Sequence, residues 1–469
     1  MRYLCRIAFV SLLLVTLVGC AENQVTNSPR SPAVQALDET RLAAGIATQA
    51  GWAIDESEAA TLSNQPSGPP VEGIRCLGRQ VLADDIVHYA FDVRTGPGEY
   101  DVIGLHRVVR ESVPYHPIRT RKSVFLQHGD LKDFTGMFLP GLASPRQPDD
   151  VGLAVQLAAS DLDVWGIDQA WTRVPEGLGD YTFLLDHGLD RCITDLGTGI
   201  ELARVVRRLT GNGYRKMVLL GYSSGAALGF AYLNEEAVLP PGRQKTCGYI
   251  PVDYGLKGDD PNWIEAMRGD VPFYESLIAS GACRMGNPFA FFGPPAFADP
   301  EGPSELIPGM TNAQAAIALG AYSAYPAIPS VTYHFLAGIF DESGMPAGLQ
   351  YTPFDDWVDF MLAAPPNETV AFMRDYSMAA LPEYDTPWDD HLAAITTPVL
   401  YLDAAGGAGG YGLLTLDLIS STDVTVLTFS YHPPEEVLLD FAHIDLFLAT
   451  GASSFVWTPV RDWIVSHTP

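Results

Sequence analysis

The run Met217-Val218-Leu219-Leu220-Gly221-Tyr222-Ser223-Ser224-Gly225 constrains this chain more than any other segment. Four apolar residues lead into Gly-x-Ser-x-Gly, and a helix-compatible stretch with small residues (Ala226, Ala227, Gly229) follows, to Leu233. A buried strand that turns straight into a helix leaves the serine on a sharp bend with its hydroxyl exposed. Side chains at Gly221 and Gly225 would collide there with the neighbouring strand and helix. The pattern asks for a sheet with a helix packed close behind it, and it makes Ser223 the candidate nucleophile.

Two further blocks have the same form, a strand followed by reactive side chains. Ser123 to Gln127 reads as a buried strand ending in His128-Gly129-Asp130. Val424 to Phe429 reads as the last strand, and Leu439-Asp440-Phe441-Ala442-His443-Ile444-Asp445-Leu446-Phe447 follows it. A histidine after the last strand stands where the general base of a Ser…acid…His order belongs. His443 is preferred to His432 because the helix-like run from Asp445 to Leu448 can anchor its loop. His432 precedes Pro433-Pro434, the pattern of a solvent-facing turn.

The segments SVFLQHGDLKDF, DVWGIDQAWTR, VLLGYSSGAALGF and DFAHIDLF together resemble the α/β-hydrolase superfamily, and within it the acid lipases of the gastric and lysosomal type. The resemblance covers roughly residues 80 to 255 and 396 to 450. It implies a mostly parallel, doubly wound α/β sheet with a cap inserted between strands 6 and 7. It also implies Ser223 as nucleophile, His443 as base, and the backbone N–H groups of Asp130 and Ser224 as the donors of an oxyanion hole. No cofactor and no metal are implied.

The sequence departs from that pattern at the acid. The expected position, past the strand Pro398 to Leu402, falls near Gly407, which has no side chain. Asp403 ends that strand, and Asp253 ends the preceding strand, Gly248 to Val252. An imidazole needs only a carboxylate held at Nδ1, and either strand end can supply it. Asp253 is placed ahead of Asp403, and both stay open at this point.

Composition narrows the setting. A chain of 469 residues with 47% hydrophobic content accommodates a core and a large insertion. Its formal charge of −28 argues against nucleic acid as a partner. Arg2 and Arg6 precede the apolar stretch Ile7 to Val18, and Leu17-Val18-Gly19-Cys20 resembles a bacterial lipobox. The expectation is a signal peptide over residues 1–19, lipidation of Cys20, and a tether over 20–70 holding the protein on the bacterial envelope, with Ala21 pointing to the outer membrane. Export would let Cys76, Cys192, Cys247 and Cys283 form two disulfides in any of three pairings.

Strands at 86–93 and 100–108, then 123–127, 162–167, 216–221, 247–252, 398–402 and 424–429, alternate with helical stretches, the order of a mostly parallel sheet. Residues 71–255 and 396–469 form the two parts of the core in this reading, and 256–395, rich in aromatics and prolines, form the cap. The functional expectation is a serine hydrolase, a lipase or esterase acting on a small-molecule or lipid ester. The alternative is an inactive cell-surface binding protein on the same fold.

Overall fold

The computed structural model describes residues 38–55, 57–58 and 73–468. Cys20, the expected signal peptide and most of the expected tether lie outside these residues. The main sheet holds β1 (Ile74–Ala83), β2 (Ile86–Arg94), β3 (Val102–Val113), β4 (Ser123–Gln127), β5 (Asp163–Asp168), β6 (Met217–Tyr222), β7 (Thr246–Val252), β8 (Val399–Ala404) and β9 (Val424–Phe429). They lie in the order β1-β2-β3-β5-β4-β6-β7-β8-β9. The first three run antiparallel to their neighbours, and β4 to β9 are parallel. This is the mostly parallel sheet that the alternation of strands and helices predicts.

Every residue of β4, β5 and β6 is buried, which is why these strands read as continuous apolar runs. β5 is bounded by two buried aspartates; the first, Asp163, is fully buried and held by Arg107 Nε at 2.8 Å and Arg207 Nη1 at 2.5 Å. Removing one member of such a buried set leaves an unpaired charge, at a cost of about 3–5 kcal/mol. The long helix α3 (Leu189–Leu209) and α4 (Ser224–Ala237) cover one face of the sheet. The other face packs α2 (Leu153–Ala159) and α10 (Thr458–His467).

Helix α1 (Glu39–Gln49) falls inside the expected tether and yet packs on the core. Leu42, Ala43, Ile46 and Ala47 recur at helical spacing and are buried against α3. Strand β1 has no counterpart in the sequence reading. It is an edge strand with mostly exposed side chains and a register shift near Gly78, so its sequence carries no alternation. The expected disulfides do not form: Cys76, Cys192, Cys247 and Cys283 are free thiols. The first three sit on β1, α3 and β7 respectively, and Cys283 follows the helix Pro261–Ala279.

Between β7 and β8 the chain leaves the sheet. It forms α5 (Pro261–Ala279), α6 (Pro288–Ala298), α7 (Asn312–Ala321), α8 (Phe354–Leu362) and α9 (Val370–Ala380), with two short antiparallel strand pairs. Helix α5 packs on α9, and α6 packs on α8. This segment lies at the carboxyl ends of the parallel strands, where the ligand crevice of an open α/β sheet is found.

Candidate active site

Ser223 sits between β6 and α4 with φ 57° and ψ −131°. A non-glycine residue in this region is strained by roughly 1–3 kcal/mol, and the surrounding structure must hold it there. Ser223 N–H donates to Val252 O at 3.0 Å, which ties the turn to the end of β7. At Gly225 an added Cβ would lie 2.2 Å from His128 O, so the strand-to-helix turn closes only with glycine. The hydroxyl of Ser223 is directed at Asp130, with Oγ 3.4 Å from Oδ1.

His443 follows β9 and is 2% exposed. Its Nδ1–H donates to Asp253 Oδ2 at 2.6 Å. Asp253 is fully buried just past β7, itself at positive φ (55°). Three backbone N–H groups also donate to its carboxylate: Ala404 at 2.7 Å, Ala408 at 3.1 Å and Gly409 at 3.0 Å. A carboxylate so fixed orients the imidazole with Nε2 free to accept a proton. The other candidate acid, Asp403, accepts from the Thr428 hydroxyl at 2.9 Å and makes no contact with His443. Burial and the neighbouring Asp253 push its carboxyl up to about 6.

The glycine-rich loop after β8 explains how a carboxylate from the preceding strand reaches His443. A Cβ at Gly407 would lie 1.9 Å from Asp253 Oδ2, inside the volume that the carboxylate occupies. The position without a side chain is the space into which Asp253 extends. Gly407→Ala is therefore expected to displace Asp253 and lower turnover about a hundredfold, since a shift near 1 Å costs that much at a reacting centre. The measurement is turnover alongside a thermal melt. Wild-type turnover in a folded Gly407→Ala would show that this space is not needed.

Tyr222 stacks on His443 with ring centroids 4.6 Å apart, and Tyr333 meets the imidazole edge-on at 5.2 Å. Asp445 holds the same loop from below. Its carboxylate accepts from Ala337 N–H at 2.9 Å, Ala442 N–H at 3.1 Å and the Thr352 hydroxyl at 2.7 Å, and burial pushes it up to about 7. The His443 loop is thus fastened to the segment between β7 and β8 as well as to the sheet. His432, the competing histidine, bonds Glu436 at 3.1 Å and Gln350 at 2.7 Å near the surface, away from Ser223.

The two expected oxyanion donors lie beside Ser223 in different states. Ser224 N–H opens α4 and has no acceptor among the described residues. Asp130 N–H donates to Ser224 Oγ at 2.7 Å, so that hydroxyl must rotate away before a substrate oxygen can take its place. His128 is not part of the reacting set. Its Nδ1–H donates to Gly129 O at 2.6 Å and its Nε2 accepts from Gln169 N–H at 3.1 Å, which binds the loop after β4 to that after β5.

A cavity of about 500 Å³ opens over Ser223 and His443, walled by rings such as Tyr254, Tyr274, Tyr333 and Tyr376 and by residues of the inserted segment. A second, of about 250 Å³, adjoins it through Asp130, Tyr274 and Phe335. Sequence reasoning did not find the Asp130 carboxyl, the Tyr222 ring or Glu368 as site residues. Only Tyr222 had a signal, its place directly before the serine.

No family model and no curated protein matches the sequence. Among solved structures the chain is similar to a candidate lipase from Sulfolobus solfataricus, with TM-score 0.58 and 14% identity over 84% of this chain and 99% of that one. A soluble variant of monoglyceride lipase from Saccharomyces cerevisiae matches with TM-score 0.43 and 13% identity over 87% and 100%. A thermophilic esterase from Thermogutta terrifontis matches with TM-score 0.41 and 15% identity over 81% and 99%. At this level of identity the likeness is one of architecture, and the protein has the α/β-hydrolase fold.

Proposed function

We propose that the protein is a serine hydrolase that cleaves carboxylic esters of lipid-like substrates, in the manner of the acid lipases that its sequence resembles. The observation that carries this reading is the buried 2.6 Å bond from His443 Nδ1 to Asp253, on an imidazole that shares one cavity with the strained Ser223. Ser223 Oγ attacks the acyl carbon while His443 Nε2 takes its proton. The oxyanion is received by the Ser224 and Asp130 N–H groups. Collapse expels the alcohol, which takes the proton from His443, and leaves an acyl ester on Ser223. Water, deprotonated by the same nitrogen, then releases the carboxylic acid. The bond between Ser223 and His443 is not made at rest. Such bonds often tighten only once substrate is bound.

A fluorophosphonate tests the reading. Covalent labelling of Ser223, lost on prior reaction with a small ester-directed inhibitor, is expected, together with turnover of 4-nitrophenyl esters. A folded protein that neither labels nor turns over any chain length would overturn it.

The envelope location rests on Leu17-Val18-Gly19-Cys20 and the basic start before it. Lipidated Cys20 would hold the catalytic domain at a membrane without a spanning helix. Cys20→Ser is expected to abolish palmitate incorporation and release the protein into the soluble fraction with its esterase activity intact. Wild type that is unlabelled by palmitate and fully soluble would contradict the anchor.

A further inference from the structure

The two cavities beside Ser223 differ from an ordinary apolar ester site in their charge. The ionisable side chains lining them, apart from His443 and the tyrosines, are Asp130, Glu265, Asp270, Glu368 and Lys132. Lys132 is the only lysine or arginine among them, and it is already engaged. It is 1% exposed, its ammonium donates to Phe360 O, and it lies 3.7 Å from the Phe360 ring. Burial pushes it down to about 7, and its ammonium is engaged with Phe360 rather than with Asp130 or Glu368.

The acids are placed differently. Asp130 lines both cavities, with Oδ1 3.4 Å from the nucleophilic oxygen. Glu368, from a short strand of the inserted segment, is 1% exposed and lines the second cavity. Its Oε2 accepts from Leu131 N–H at 2.9 Å, while Oε1 is buried without a partner. Burial raises both carboxyls, and the proximity of Asp130 raises Glu368 further. Among the described residues no arginine or lysine side chain bonds either carboxyl. A buried acid in that situation takes up a proton or a cationic ligand. Aromatic faces suited to an organic cation flank it, with Tyr274 and Phe335 in both cavities.

We propose that the preferred esters carry an ammonium group within a few bonds of the scissile carbonyl, held by Asp130 with Glu368 behind it. The inference deepens the ester-hydrolase reading and rests on it. Asp130 sits so near Ser223 Oγ that a charge it binds must lie close to the ester bond. The adjoining cavity then receives the rest of the molecule. The ammonium lies on the alcohol side if the substrate is an amino-alcohol ester, and on the acyl side if it is an aminoacyl ester. An anionic group at the same place faces carboxyls and no available cation.

Two isosteric pairs test this with the full chain. Butyrylcholine and 3,3-dimethylbutyl butyrate differ only by nitrogen for carbon on the alcohol side. Alanine ethyl ester and ethyl isobutyrate differ by ammonium for methyl on the acyl side. The expected result is a kcat/KM about tenfold or more in favour of the cationic member of one pair, which also identifies the side. That ratio should fall towards unity in Asp130→Asn and drop measurably in Glu368→Gln, whatever either change does to the absolute rate. If Asp130→Asn fails to fold, as judged by its melt, the wild-type ratios and Glu368→Gln still decide. Equal or faster cleavage of both neutral members by wild type that reacts with fluorophosphonate would overturn the cation site while leaving the hydrolase. A ratio unchanged in folded Asp130→Asn would do the same. Wild type that neither labels nor cleaves any of the four removes both readings together.

Discussion

Asp253→Asn is expected to lower turnover of a neutral ester about ten-thousandfold, the loss that follows when an asparagine replaces the triad acid. The reason lies in how the carboxylate is used. Oδ1 accepts from Ala404 and Gly409, and Oδ2 accepts from Ala408 and from His443 Nδ1. An amide nitrogen at the Oδ1 position would face two N–H donors, so it is driven to the Oδ2 position. There it donates to Nδ1, which moves the imidazole proton to Nε2 and removes the base. Asp403→Asn should change turnover by less than about threefold, because the partner of Asp403 is Thr428 and not the imidazole. The two variants are compared in one assay at neutral pH. A severe Asp403→Asn beside a near-normal Asp253→Asn would transfer the role, and two mild variants would assign it to neither.

Ser223→Ala should cost at least about a thousandfold, leaving only what oxyanion donors and binding supply. Alanine and serine share the Cβ that makes φ 57° costly, so the substitution adds no new backbone strain and the melt should be nearly unchanged. His443→Ala should match it, since nucleophile and base act as one unit, whereas His432→Ala should be mild. More than about a tenth of wild-type turnover in Ser223→Ala would remove the nucleophile assignment.

The inner parallel strands were legible in the sequence because both of their faces are covered, whereas the exposed edge strand β9 was legible from its β-branched run Val424 to Val426. β4 and β6 have no solvent side and so read as mainly apolar runs leading to His128 and Ser223. β1 was not, since its exposed side chains remove the period that would reveal it. Ser223 and His443 could be located because each follows a strand by a short turn. The acid stayed undecided between Asp253 and Asp403 because both end strands. What separates them is where the loop through Gly407 and Gly409 passes, and it encloses the carboxylate of Asp253. The pairing of Asp130 with Glu368 was beyond reach. The bond that joins their neighbourhoods spans 237 positions of sequence and depends on how the inserted segment folds back.

The separation of acid and base along the chain governs when chemistry becomes available. His443 lies 190 positions after Asp253, and the whole inserted segment comes between them. Synthesis proceeds from the N-terminus, so under the proposed mechanism a nascent chain holds its nucleophile, its acid and both oxyanion donors long before it has a base. That base is seated only when His443 reaches Asp253 and Asp445 has bonded Ala337 and Thr352 of the inserted segment. Until then Ser223 is an ordinary alcohol. In the proposed mechanism, unfinished or half-folded copies carry no activated serine, and the first turnover reports that the last part of the chain has docked.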